Sequence, residues 1–130
     1  MNWERDRLRE LVGIAAGALM EAEVESIAGA SYHVPSPSRR AQRNGYRVSS
    51  WHTPLGPIRL DIPKLRRGSY RPRWLRRADA TLIAAVAEAY AQGAVSTAWI
   101  ADLTRALGLR DLTSDQLAEV LDALREELAA

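Results

Sequence analysis

The residues with the clearest chemical potential lie between positions 39 and 77. That stretch holds eleven arginines and one lysine against a single acid, Asp61. Tyr46, Trp51, Tyr70 and Trp74 are interleaved with the cations. A guanidinium fork matches phosphate oxygens two at a time and can also read guanine edges. Tyrosine and tryptophan can stack on bases or pack against sugars. The flanks have the opposite sign: residues 1–38 carry three arginines against six acids, and residues 78–130 three arginines against nine. The formal net charge of +2 therefore conceals a strongly cationic middle. A block of one sign, mostly arginine, points to a polyanionic partner. Two plainer readings stay open: the arginines pair with the acidic flanks, or the four aromatics form a small core of their own.

Other chemistries find little support. There is no cysteine, which removes disulfides, thiolate zinc sites and thiol nucleophiles. His33 and His52 lack paired-ligand spacing. No glycine-rich loop ends in Lys-Ser/Thr, and no serine sits in a nucleophile-elbow pattern. The acids fall mainly on expected helix faces, where solvation and pairing one turn apart explain them. We therefore expect no catalytic residue, no metal and no cofactor here. The polar, mixed-charge start does not read as a secretory signal, and the longest apolar run, 14–20, is too short to span a bilayer. A cytoplasmic, nucleoid-associated protein that meets no membrane is the expectation.

These residues need elements to position them. The expected class is α+β, mostly α: an N-terminal helix in 1–30, a basic linker and β-hairpin in 31–78, and a three-helix cluster in 79–130. Leu8, Leu11, Val12, Ala15, Leu19 and Ala22 recur at three- and four-residue steps and predict a helix over 4–28, with Gly29 as its stop. Two prolines at 35 and 37 mark a linker. Ile58, Leu60 and Ile62 alternate with Arg59 and Asp61, which predicts a strand. Tyr46 to Thr53 supplies its partner, with Thr53-Pro54-Leu55-Gly56 as the turn. Residues 64–78 read as an extended basic segment. Beyond them, Gly93 and Gly108 predict helix ends, and Ser96 or Thr97 and Thr113 or Ser114 predict caps. The last two helices have the spacing of a helix-turn-helix, in which Ser114, Asp115 and Gln116 would lead the recognition helix and Gln116 could pair with adenine. The acids along that last helix equally suit a pair that only packs or dimerises.

Several runs together resemble one family. They are Glu21-Ala22-Glu23, Arg43-Asn44-Gly45-Tyr46-Arg47, and Thr53, Gly56 and Ile58. Leu60-Asp61-Ile62-Pro63-Lys64-Leu65-Arg66, Gly68-Ser69-Tyr70-Arg71-Pro72, Tyr90-Ala91-Gln92-Gly93 and Ser96-Thr97 follow. Their order and spacing are similar to the N-terminal half of Mutator-type insertion-sequence transposases. Ala98 and Ala118 depart from an arginine and a serine usual in that family. The resemblance implies DNA recognition at the terminal inverted repeats of a mobile element. It also implies that three carboxylates and a divalent metal act on a ribonuclease-H-like domain downstream, absent from this chain. Arg43, Arg47, Arg59, Lys64, Arg66, Arg67, Arg71 and Arg73 are the expected phosphate or base contacts, with Tyr46 and Tyr70 supporting or stacking. Rival expectations are a truncated regulator that occupies the same DNA sites, and an assembly module whose first and last helices pair with intact transposase or a second copy.

Overall fold

The computed structural model describes residues 3–31, 43–65, 68–77 and 79–129. Helix α1 (Trp3–Ser31) is followed by strands β1 (Arg43–Thr53) and β2 (Gly56–Leu65), the one-turn helix α2 (Trp74–Arg77), and helices α3 (Asp79–Gln92), α4 (Thr97–Leu107) and α5 (Ser114–Ala129). The chain is α+β and mostly α, with one antiparallel hairpin.

Helix α1 is the axis of the molecule. The hairpin packs on it through β2, and α5 and α3 pack on it as well. This explains a departure from the expected single stripe. Leu11, Val12, Ala15, Leu19 and Ala22 are buried, but so are Ala16, Met20 and Val24. A helix with partners on more than one side buries more than one face. Gly13 serves close packing, because a β-carbon there would stand 3.2 Å from the Ile58 side chain. Gly29 does not end the helix, which runs on to Ser31. Glycine costs a helix about 1 kcal/mol but, unlike proline, breaks no hydrogen bond.

The hairpin keeps the expected alternation. Trp51 pairs with Ile58, Ser49 with Leu60 and Arg47 with Ile62, and the three β2 residues are buried against the core. The Thr53 hydroxyl donates to the Gly56 carbonyl at 2.7 Å and accepts from the Leu55 amide at 3.1 Å. Gly56 has a φ of 106°, a conformation side chains disfavour. β1 begins at Arg43, before the expected Tyr46, β2 runs on past Ile62 to Leu65, and the register is irregular between Arg43 and Tyr46.

The segment 64–78 is not simply extended. Lys64 and Leu65 finish β2, and Pro72 opens a single helical turn, its carbonyl accepting from the Leu75 amide at 3.2 Å. One turn is too short to leave a periodic signature, so the sequence alone reads as an extended segment.

The C-terminal helices end where the glycines predict. Gly93 and Gly108 adopt φ values of 72° and 80°. Each is followed by an amide that reaches back to close the helix: Ala94 to Ala89 at 3.2 Å and Leu109 to Thr104 at 2.8 Å. Ser96 caps α4 by accepting from the Trp99 amide. Before α5, the Thr113 hydroxyl accepts from the Gln116 amide at 3.1 Å, and the Gln116 side-chain oxygen accepts from the Thr113 amide at 2.8 Å. This reciprocal box satisfies two otherwise orphaned donors. The Gln116 amide nitrogen then donates to the Ala22 carbonyl of α1 at 3.2 Å. At the other end of α5, Arg7 donates to the Glu127 carbonyl at 2.5 Å.

Gln116 thus joins α5 to α1 while starting α5. Gln116→Ala should destabilise the fold by about 2 kcal/mol through loss of the cap and of a buried bond. Urea denaturation checks this; a change below about 0.5 kcal/mol, the range of ordinary surface substitutions, would show that the box is incidental.

Candidate nucleic-acid interface

The basic region is held in place by a carboxylate. Glu23, on α1, accepts a short hydrogen bond from the Tyr70 hydroxyl and another from the Trp74 indole at 3.2 Å, both on the same oxygen. Tyr70 and Trp74 are buried, and Leu75 beside them joins the same core. Burial, then the Glu23 bond and charge, push the Tyr70 phenol well above its ordinary pKa, so it stays neutral and donating. A second tie links this segment to β1: the Arg47 guanidinium donates to the Tyr70 carbonyl at 3.1 Å. A third ties the start of β1 to α1, where Tyr46 donates to Glu21 at 2.6 Å.

These ties leave two adjoining depressions beside β1. One, of about 410 Å³, is lined by Arg47, Lys64, Tyr70 and Arg71 among others. The other, of about 400 Å³, lies between β1 and residues 71–76, and Arg47, His52, Arg71, Arg73 and Arg76 line it. Arg47 and Arg71 belong to both. No carboxylate lines either one. Arg71, Arg73, Arg76 and Lys64 are exposed, and none forms an ion pair among the described residues. A larger depression, about 470 Å³, lies elsewhere, between α3 and α4, and its charged lining residues are Glu88 and Asp102. Size and charge disagree, and charge selects the groove beside β1 as the place for a polyanion.

The residues singled out from the sequence fall into distinct places. Arg47, Lys64, Arg71 and Arg73 come together on the groove. Arg59 does not; it points from the opposite face of the hairpin and meets Asp61 at 3.3 Å. Arg43 is placed by its backbone alone, and Arg66 and Arg67 lie outside the described residues. Tyr46 is 51% exposed, with its hydroxyl committed to Glu21. Tyr70 corrects the idea of a stacking ring: at 5% exposure and bound to Glu23, it supports the segment from inside. Arg76 and the β1 residues Ser49, Ser50 and His52, which were not among the expected contacts, also line the groove, as does Trp51, one of the interleaved aromatics. Arg76 was visible as a cation one helical turn from Pro72, but only the turn itself brings it round.

The last helix offers no comparable surface. Gln116 is 8% exposed and its amide is occupied, so it has no group left for adenine. Asp115, Glu119, Asp122 and Glu126 stand exposed along α5. No group of three or more His, Cys, Asp or Glu residues able to hold a metal ion exists among the described residues. None of the described helices is long and apolar enough to cross a membrane.

Comparison with known proteins gives a consistent result. The family described as Transposase, Mutator family, matches residues 2–130 of this chain. The transposase for insertion sequence element IS1081 of Mycobacterium tuberculosis is 40% identical over 129 residues, covering 96% of this chain and 31% of that protein. The IS1081 transposase of Mycobacterium bovis gives the same figures. The transposase for insertion sequence element ISRM5 of Rhizobium meliloti is 28% identical over 128 residues, covering 96% and 32%. The chain thus spans about a third of the length of the curated relatives it matches. No solved structure matches it.

Tyr70→Phe should cost about 1.5–3 kcal/mol, the range for a bond to a charged acceptor. The phenol's raised pKa also sets a pH dependence. In the unfolded chain it ionises near pH 10, while in the fold it does not, so its contribution is complete below about pH 10 and falls above it. Urea titrations of the two proteins should show a stability gap that is constant up to about pH 9 and shrinks beyond pH 10. A gap that widens at high pH would contradict the assignment.

Proposed function

We propose, from the premise that this chain belongs to the Mutator family of transposases, that it is the DNA-recognising part of an insertion-element transposase and grips duplex DNA at the element's terminal inverted repeats. The observation that carries this reading is the groove beside β1, with one lysine and four arginines on its walls and no carboxylate. Arg47, with its guanidinium bound to the Tyr70 carbonyl, is pre-set where the two depressions meet. Arg71, Arg73, Arg76 and Lys64 reach outward and take phosphate oxygens in turn. By the sequence, Arg43, Arg66 and Arg67 are further candidates for phosphate contact. The acidic face of α5 is directed away from phosphate by its own repulsion, so the hairpin side meets DNA and the helical side does not.

The relatives are transposases, and this chain matches 31% and 32% of their length; on this reading that portion holds the DNA. The strand cutting and joining of the family falls, on this reading, to a metal-dependent carboxylate set outside the groove. The chain's contribution to transposition is position: it places an element end and keeps it there.

With six to eight phosphates neutralised, log K should fall with log salt at a slope of about −5 to −7. Fluorescence anisotropy with an inverted-repeat duplex at several salt concentrations measures this. Arg71→Ala combined with Arg73→Ala should flatten the slope by about 2 and weaken binding to every duplex tested. An unchanged slope would remove the groove from DNA binding and favour an assembly role.

A further inference from the structure

The hairpin has a second, outward face that meets the groove only at Ser50 and His52. On β1 it carries Val48, Ser50 and His52, and opposite them on β2 stand Asp61, Arg59 and Pro57. All six are exposed, whereas the alternate residues of β2 are buried against α1. Val48 is 65% exposed, an apolar side chain in the middle of a solvent-facing ribbon. The Arg59–Asp61 pair at 3.3 Å is mostly exposed on both sides, and a pair so exposed adds little to stability. The face also differs from the groove in charge. It holds one arginine balanced by one carboxylate, so the phosphate backbone has little net attraction to it.

We infer that this face reads base edges in the major groove. The inference rests on the DNA-gripping role proposed above and adds which residues recognise sequence. A two-stranded ribbon fits the major groove, about 12 Å wide. The groove arginines beside β1 then lie along the flanking phosphates, while the balanced face meets the bases. Arg59 presents its fork to guanine O6 and N7, held in orientation by the Asp61 carboxylate. The Val48 methyls pack against a thymine methyl. Ser50 and His52 supply hydrogen-bonding groups that suit more than one base.

The test is enrichment of the purified chain on a pool of random-sequence duplexes, followed by anisotropy on the enriched duplex and on the unselected pool. Wild type enriches a motif. Arg59→Lys keeps the charge but loses the fork, and Val48→Ala removes the methyl contact; neither disturbs a buried group. Each should erode preference at its own position of the motif by about 5- to 150-fold. Affinity for the unselected pool should stay within about twofold, because no phosphate contact is lost. Arg71→Ala with Arg73→Ala should do the reverse, weakening both duplexes and leaving the motif intact. If both outer-face variants enrich the wild-type motif unchanged, or if wild type binds the pool but enriches no motif, the base-reading face is overturned while the DNA grip stands. If wild type does not bind the pool at all, the grip itself fails, and the inference with it.

Discussion

One carboxylate oxygen of Glu23 receives both the Tyr70 hydroxyl and the Trp74 indole, and the basic surface depends on that junction. Residues 71–76 carry three arginines on six positions with no acid among them. Like charges that dense repel one another and would hold a free segment extended in water. The segment instead turns back on the fold because two aromatic side chains descend into the core and find an ionised acceptor there. Bonds to a charged partner are worth about 1.5–3 kcal/mol each, enough to order a short segment. The cations on the exposed side of the same residues are then carried to one place. The energy that orders the site is thus separated from the charges that use it.

Helix α1 makes that arrangement possible by serving both halves of the molecule. Its Glu21 and Glu23 hold the hairpin and the basic segment, while its Ala22 carbonyl, Ser26 and Arg7 hold the C-terminal helices. Among the described residues, every buried side-chain nitrogen and oxygen has a partner. The charges sort by side as a consequence. Cations gather on the groove next to β1, and carboxylates line α5 and the cleft between α3 and α4. A molecule polarised this way turns one side to an approaching polyanion before contact, which raises encounter rates at low salt.

Much of this was legible in the residues themselves. The charge block, the alternation of Ile58, Leu60 and Ile62, and the glycine helix ends at Gly93 and Gly108 are local signals, and local signals survive folding. The runs around Glu21-Ala22-Glu23 and Gly68-Ser69-Tyr70-Arg71-Pro72 pointed to the transposase family, and the structure gives them a physical link, since Glu23 binds Tyr70. What stayed hidden was non-local. Gln116 looks like a base-reading residue at the head of a helix until Thr113 and Ala22 close around it. Tyr70 and Arg71 are neighbours of similar exposure on paper, yet one is buried and the other exposed. The second buried face of α1 could be read only once both its partners were known.

The central claim is that the β1 side, and not the helical side, meets DNA. Amide and indole chemical shifts followed during titration with an inverted-repeat duplex test it directly, since Trp51 and Trp99 report from opposite parts of the fold. The account predicts shifts concentrated in residues 45–53, 57–64 and 69–77, with Trp51 moving and α4 and α5 unchanged. Shifts concentrated on α4 and α5, with the groove beside β1 silent, would contradict it.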